Sequence, residues 1–441
     1  MPRLALHWQI LVGMALGVVA GVAVNLGQEP LAAAGQAAPT IGAALAFVAR
    51  ANAFVGDLFL RGLRFIAVPV VLFSLVVGAS GLADLRKLSR VGGRTFGIYL
   101  FTTAMAISIG LLLANVLQPG AFLSDGLRDQ LAAAAAADTA QKVSAAVAPD
   151  VWATLLDMVP ANPFEAVAKG NMLQVVTAAL ALGLGLARLP ADRARPVIAL
   201  FEGLNDAVLV VVHAVMRLAP VAVFCLVAKV MATMGLEALG ALLVYCLTVV
   251  LGLVLVTFGV YPGLLRAFAK VGPRRFFTAI APAQLLAFSS SSSNATLPVT
   301  MECVEERLGV SEEITSFVIP LGATVNMDGT ALYQGVAAVF IAQVYGIDLS
   351  LGDQLTIVLT ATLASIGTAG VPGVGLVMLV IVLQAVGMGD DAMRGGIAII
   401  FGVDRLLDMC RTVTNVTGDC MVAAVVAHQE GELAPEAPAA A

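Results

Sequence analysis

Residues 276–426 constrain this chain most tightly. Three apolar stretches there are broken in the middle by polar or glycine-rich runs, and a fourth carries a stripe of charge. Residues 276–288 lead into Ser289-Ser290-Ser291-Ser292-Ser293-Asn294-Ala295-Thr296. Residues 314–325 lead into Asn326-Met327-Asp328-Gly329-Thr330 and then an apolar run over 331–344. Residues 355–364 lead into Ser365-Ile366-Gly367-Thr368-Ala369-Gly370-Val371-Pro372-Gly373, followed by 374–386. Residues 397–426 carry Asp404, Arg405, Asp408, Arg411, Asn415 and Asp419. Each apolar arm of the first and third segments is too short to span a bilayer, which takes roughly 20 residues. Such arms fit a re-entrant hairpin. Lipid cannot satisfy the backbone groups freed at its tip, so the tip must lie against protein or a water-filled cavity.

The rest of the chain fits a membrane. Of 441 residues, 60% are hydrophobic and 12% charged, and mean hydropathy is +0.96. A soluble domain carries about 25% charged residues, so too little polar surface remains to cover a water-soluble globule. This length leaves room for about eight spans. Candidate helices fall at 7–24, 41–79, 93–117, 171–186, 197–232 and 236–265. The second and fifth exceed one bilayer thickness and must tilt, bend or project. Gly13, Gly17 and Gly21 recur at four-residue spacing, a helix-packing pattern.

Charge orients the chain. Arg86, Lys87, Arg90 and Arg94, then Arg188, Arg193 and Arg195, then Arg266, Lys270, Arg274 and Arg275 lie in alternate connections. The positive-inside rule makes those cytoplasmic. The connections around 28–38 and 125–150 fall outside. Net charge is −5 with no long basic stretch, which excludes a nucleic-acid footprint. The five cysteines, Cys225, Cys246, Cys303, Cys410 and Cys420, are scattered through apolar sequence without a CxxC pattern and read as buried free thiols. The N-terminal apolar run reads as a retained helix rather than a cleaved signal.

The interruptions carry the chemistry. Helix N-termini at a tip offer free N–H groups to a carboxylate, and unwound carbonyls suit a cation such as Na⁺. A carboxylate and an amide at Asn326–Asp328 sit in mid-membrane sequence, where a bare charge costs at least ~2.5–3.5 kcal/mol. Gly329 is the expected point of unwinding. Asp408, Arg411, Thr412, Asn415 and Asp419 share one helical face. Arg411 is a fixed cation whose planar fork can hold a carboxylate bidentately. Asp408 is an acceptor suited to an ammonium. The competing readings are a structural Arg–Asp pair without ligand, plain loops at the interruptions, an ion channel, and a membrane hydrolase. A hydrolase would need an activated nucleophile, and no G-x-S-x-G or neighbouring histidine accompanies the serines.

Four runs in order, SSSSSNATLPVT, NMDGTALYQG, ASIGTAGVPGVG and DMCRTVTNVTGD, resemble the hallmark motifs of the glutamate transporter family, the dicarboxylate/amino acid:cation symporters. HWQI at 7–10 and NPFEA at 162–166 extend the resemblance over almost the whole chain. It implies an all-α polytopic membrane protein with eight transmembrane helices, two re-entrant hairpins and inverted repeats. It further implies a homotrimer working as an elevator in the inner (plasma) membrane, with both termini cytoplasmic. Residues 1–88 and 119–232 would form a scaffold, 89–118 and 233–428 a transport domain, and 429–441 a disordered tail. The implied partners are an acidic amino acid and membrane lipids. The implied coupling ion is Na⁺, and no enzymatic activity is expected.

Carried over by position, Arg411 matches the arginine that binds the substrate side-chain carboxylate, and Asp408 matches the α-amino acceptor. Ser292, Ser293, Thr330, Val371, Gly375, Thr412 and Asn415 match further substrate contacts. Asp419, Asn415, Asn326 and the Gly322 carbonyl match one sodium site. Thr324, Ser365, Ile366 and Thr368 match a second. Tyr99, Thr102, Thr103, Asn326 and Asp328 match a third, and Met327 would link ions to substrate. Ser291 stands where some prokaryotic members carry an extra arginine, and Cys410 where glycine is common. Proton-coupled dicarboxylate transport and neutral amino-acid transport on the same fold are the alternatives.

Overall fold

A computed structural model describes residues 6–27, 39–81, 89–123, 156, 159–169, 172–234, 237–365 and 373–434. Most of these residues are helical, and no strand is formed among them. In chain order the helices are α1 (Leu6–Leu26), α2 (Pro39–Gly81), α3 (Ser89–Leu117), α4 (Pro163–Lys169), α5 (Met172–Ala187), α6 (Ala191–Met216), α7 (Ala219–Met234) and α8 (Glu237–Leu255). There follow α9 (Tyr261–Phe268), α10 (Pro273–Ser290), α11 (Ser293–Glu302), α12 (Glu312–Val325), α13 (Asp328–Val344), α14 (Leu351–Ser365), α15 (Val374–Ala385) and α16 (Asp390–Glu430). Among the described residues, three stretches, Gly42–Phe59, Val91–Phe122 and Gly240–Phe268, are long and apolar enough to cross a membrane. The chain is a helical membrane protein.

The helices pack in two groups. In the first, α1 lies along α7, and α2 packs against α5, α6 and α7. The glycine stripe is the reason α1 and α7 come so close. A Cβ at Gly13, Gly17 or Gly21 would stand 2.3, 2.8 or 2.5 Å from the carbonyl oxygens of Pro220, Phe224 and Ala228. Small residues let backbones meet where lipid offers no hydrophobic drive to association. Asn25 and Asn52 donate to the carbonyls of Ala232 and Cys225.

The expected single helix over 197–232 is two, α6 and α7, parted at Arg217 and Leu218. Pro220 has no amide hydrogen, and its ring collides with the carbonyl four residues earlier. The helix therefore stops at Met216 and restarts with the proline in its first turn.

In the second group α13 is central. It packs against α3, α8, α14, α15 and α16, and every residue from Asp328 to Ala342 is buried. The serine run reverses the chain between α10 and α11. Ser291 closes α10 in the left-handed region at φ 51°, and the Ser292 side chain accepts from Ala295 N to start α11. Serine suits both tasks because its hydroxyl substitutes for a missing backbone partner. The two arms meet again at their base, where Arg275 Nη2 donates to the Leu308 carbonyl at 2.9 Å.

Helix α16 runs to Glu430, beyond the expected tail boundary at 429. Gly431, in the left-handed region, ends it. Ser311 N then donates to the Glu432 carbonyl at 3.2 Å and Ala434 N to the Gly309 carbonyl at 2.7 Å. Arg275 Nη2 also donates to the Ala434 carbonyl, and Arg94 pairs with Glu430. Backbone pairing and two basic partners thus order the chain to residue 434. The cysteines are free, with Cys225, Cys303 and Cys420 buried and Cys246 and Cys410 half-buried.

Candidate substrate and ion site

The site is built where α16 passes the break between α12 and α13. Asn326 (φ −100°, ψ 82°) and Met327 (φ −109°, ψ 49°) leave the helical region. The unwinding therefore falls before Gly329, not on it. Gly329 is helical, and its glycine serves close approach: a Cβ there would lie 2.6 Å from the Arg411 carbonyl oxygen. Gly329 N donates to Asn415 Oδ1 at 2.8 Å, which ties the start of α13 to α16.

The polar stripe of α16 is buried as its spacing requires. Arg411 is fully buried, with Nη2 2.7 Å from Asp408 Oδ1 and Nη1 3.0 Å from Asp404 Oδ1. Its guanidinium carbon stands 3.9 Å from the centre of the Tyr333 ring. Arg411 Nε has no hydrogen-bond partner. A buried charge is retained when paired and bonded in this way. Asp408 Oδ2 accepts from Gly373 N at 3.1 Å, so the residue leading into α15 is fastened to the stripe. A Cβ at Gly375 would come 3.2 Å from Arg411 Nη1, so glycine there lets the start of α15 pack close against the guanidinium. Thr412 Oγ1 donates to the Asp408 carbonyl at 2.8 Å. Asn415 Nδ2 reaches Thr330 Oγ1 at 3.3 Å and Met327 Sδ at 3.2 Å. Ser292 and Ser293 are buried at the serine tip, and α11 packs against α12 and α16.

A second polar cluster lies further along α16. Asp328 Oδ1 accepts from Thr103 Oγ1 at 2.6 Å, and Oδ2 from the Tyr261 hydroxyl at 2.8 Å. Asn326 Nδ2 donates to Asp419 Oδ1 at 2.9 Å, while Asn326 Oδ1 is buried without a partner. Gly322 closes the cluster. A Cβ there would be 2.3 Å from Asp419 Oδ1 and 2.5 Å from the Tyr99 hydroxyl. Tyr99 donates to the Val318 carbonyl, and Thr102 to the Tyr99 carbonyl. The cluster thus offers two buried carboxylates among amide, hydroxyl and carbonyl oxygens, hard donors of the kind that bind Na⁺ at broken helices.

The remaining expected residues are less tightly gathered. The hydroxyls of Thr324 and Ser365 turn back to carbonyls of their own helices, Leu321 and Thr362. Ile366, Thr368 and Val371 lie outside the described residues. Sequence reasoning missed Asp404 as a second partner of Arg411, although it sits on the same helical face. It also missed Tyr333 and Tyr261. Tyr261 reaches Asp328 from α9 across 67 residues, after a π-turn at Val256–Val260, and no local pattern points to it.

The family model of the sodium:dicarboxylate symporter family matches residues 6–429. The chain is 35% identical over 98% of its length to the proton/sodium-glutamate symport protein of Bacillus caldotenax, covering 96% of that protein. It is 35% identical over 97% of its length to the proton/glutamate-aspartate symporter of Escherichia coli, covering 93% of it. It is also 34% identical over 85% of its length to human excitatory amino acid transporter 2, covering 73% of it. A match over nearly every helix of both packing groups, with the buried stripe of α16 inside it, means that this chain belongs to the sodium:dicarboxylate symporter family.

Proposed function

We propose that the protein is a secondary symporter that carries acidic amino acids, aspartate or glutamate, into the cell with sodium. The observation that carries this reading is the wholly buried Arg411, held between Asp404 and Asp408 beside a broken helix. An intramembrane guanidinium of this kind marks a pathway for an anion. Relatives named for glutamate and aspartate symport support the substrate class. The incoming side-chain carboxylate takes an Arg411 amine edge from Asp408, and the released Asp408 accepts the substrate ammonium. Backbone N–H groups near the serine tip and around Val371 and Gly375 receive the α-carboxylate.

The oxygen cluster of Asp328, Asn326, Gly322 and Asp419 takes up sodium, with Tyr99, Thr102 and Thr103 behind it. Met327 stands in the chain between Asn326 and Asp328 of the ion cluster, and its Sδ lies 3.2 Å from Asn415 Nδ2 on the stripe of α16, so ion and substrate stabilise the same arrangement of the α12–α13 break. Coupling needs only that this arrangement bind both better than its alternative does. The hairpin of α14 and α15 acts as the outer gate. The group of α3 and α8–α16 moves as the transport domain against a trimeric scaffold of α1, α2 and α5–α7. Exposed Phe47, Phe54, Leu58 and Phe65 on α2 fit a face turned to lipid or neighbouring subunits. The setting is the plasma membrane, with both chain termini cytoplasmic.

The names of the two bacterial relatives include the proton, which is the second reading for the ion. Radiolabelled aspartate uptake into proteoliposomes separates the two. Uptake driven by an inward sodium gradient and absent with a proton gradient alone supports sodium coupling. The reverse result assigns the proton. Uptake under neither overturns the acidic amino-acid reading.

A further inference from the structure

Arg405 is a charge in the stripe of α16 that the proposed site leaves without a task. It follows Asp404 and stands one turn before Asp408. Its Nη1 is 3.5 Å from Asp408 Oδ2, with 11% of the side chain exposed. Its Nε is buried and has no hydrogen-bond partner. Asp408 therefore faces two guanidiniums, Arg411 on Oδ1 at 2.7 Å and Arg405 on Oδ2, where the Gly373 amide also donates at 3.1 Å.

The formal charges of this cluster cancel. Asp404 and Asp408 contribute two negative charges, and Arg405 and Arg411 two positive ones. Without Arg405, one buried carboxylate is left uncompensated at the place where an acidic substrate must arrive. In a poorly screened interior that excess repels an anion over several ångströms. At 3.5 Å Arg405 holds Asp408 more loosely than Arg411 does, and its free Nε leaves it a donor to spare. It is the partner of Asp408 that an arriving ammonium displaces most easily.

We propose that Arg405 is a specificity-determining residue of the substrate site: it offsets the second carboxylate of the Asp404–Asp408 pair and thereby sets how much negative charge a substrate can bring. This rests on the acidic amino-acid reading given above. The role is electrostatic, so it follows charge rather than shape. A lysine at 405 keeps it, a glutamine loses it, and neutralising a carboxylate next to the gap restores it.

The test is the concentration of aspartate giving half-maximal uptake into proteoliposomes at saturating sodium, for the full chain and its variants. Arg405→Gln is expected to raise it about tenfold. Arg405→Lys should stay within about threefold of the parent, and Arg405→Gln with Asp404→Asn should recover most of the loss. A merely structural role for Arg405 would not be rescued by removing a carboxylate. Wild-type affinity in Arg405→Gln, or failure of the double variant to recover, overturns the inference while parent uptake leaves the transport reading standing. If the parent itself takes up no acidic amino acid, the transport reading falls and this inference falls with it. Should Arg405→Gln not fold, Asp404→Asn alone is compared with the double variant. The single variant, with one surplus positive charge, should bind aspartate about tenfold more tightly. Equal affinities overturn the inference.

Discussion

Arg411 Nη1 lies 3.0 Å from Asp404 Oδ1, and both side chains are almost completely removed from solvent. The arginine that the proposed mechanism uses for substrate is thus also the counter-charge that allows two aspartates to stay buried. Function and stability are joined at one side chain, and a simple truncation would confound them.

Arg411→Ala is therefore expected to lose aspartate uptake and also to lower stability, because breaking a buried pair costs about 3–5 kcal/mol. Adding Asp404→Asn should return part of the stability without returning uptake. Thermal unfolding of the purified protein and uptake in proteoliposomes read the two separately. Uptake at the parent level in Arg411→Ala would remove Arg411 from the substrate site.

Asp419→Asn keeps the size of the side chain that meets Asn326 but removes its charge. If Asp419 is an ion ligand, half-maximal uptake should need at least about tenfold more sodium. A bound ion stabilises by RT ln(1 + [L]/Kd), ~2.7 kcal/mol at a hundredfold excess over Kd. The sodium-induced rise in melting temperature should shrink accordingly. An unchanged sodium response in both measurements would exclude Asp419 from the site.

Gly322→Ala places a methyl 2.3 Å from Asp419 Oδ1 and 2.5 Å from the Tyr99 hydroxyl. Overpacking of this kind costs about 1–3 kcal/mol, and here the displaced groups are the proposed ion ligands. The variant should melt lower and respond weakly to sodium. Gly93→Ala, where a Cβ meets nothing within 4 Å, is the control and should leave both unchanged.

Truncation after Gly431 removes the Glu432 carbonyl that accepts from Ser311 N and the Ala434 amide that donates to Gly309. Net values of about 0.5–1.5 kcal/mol per hydrogen bond predict roughly tenfold faster hydrogen exchange at Ser311. The exchange of buried α13 amides should stay as it was. Identical exchange at Ser311 would mean that the tail does not hold the base of the α10–α11 hairpin.

Much of this molecule was legible from the chain alone, and the legible parts share a physical reason. Helical periodicity is local, so the buried face of α16 could be read from the spacing of Asp408, Arg411, Asn415 and Asp419. The glycine stripe of α1 announced a close helix contact in the same way. The polar run at 326–330 marked a broken helix, although it did not say that Asn326 and Met327 break it while Gly329 serves packing. Pro220 was visible too, but its power to divide 197–232 depends on where the helix register places it.

By itself the sequence determined the class of protein, because so few charges among so many apolar residues leave only lipid as a matching solvent for a helical chain. It also determined which residues had to avoid that lipid, since a charged stripe in an apolar helix must face the interior. The tertiary structure decided the partnerships. Tyr261 reaches Asp328 from α9, Gly322 leaves room for Asp419 beside Tyr99, and Arg405 comes to rest on the oxygen of Asp408 that Arg411 leaves free. Such contacts depend on how distant helices cross and on the last few ångströms of packing, and no local pattern in the chain encodes that distance.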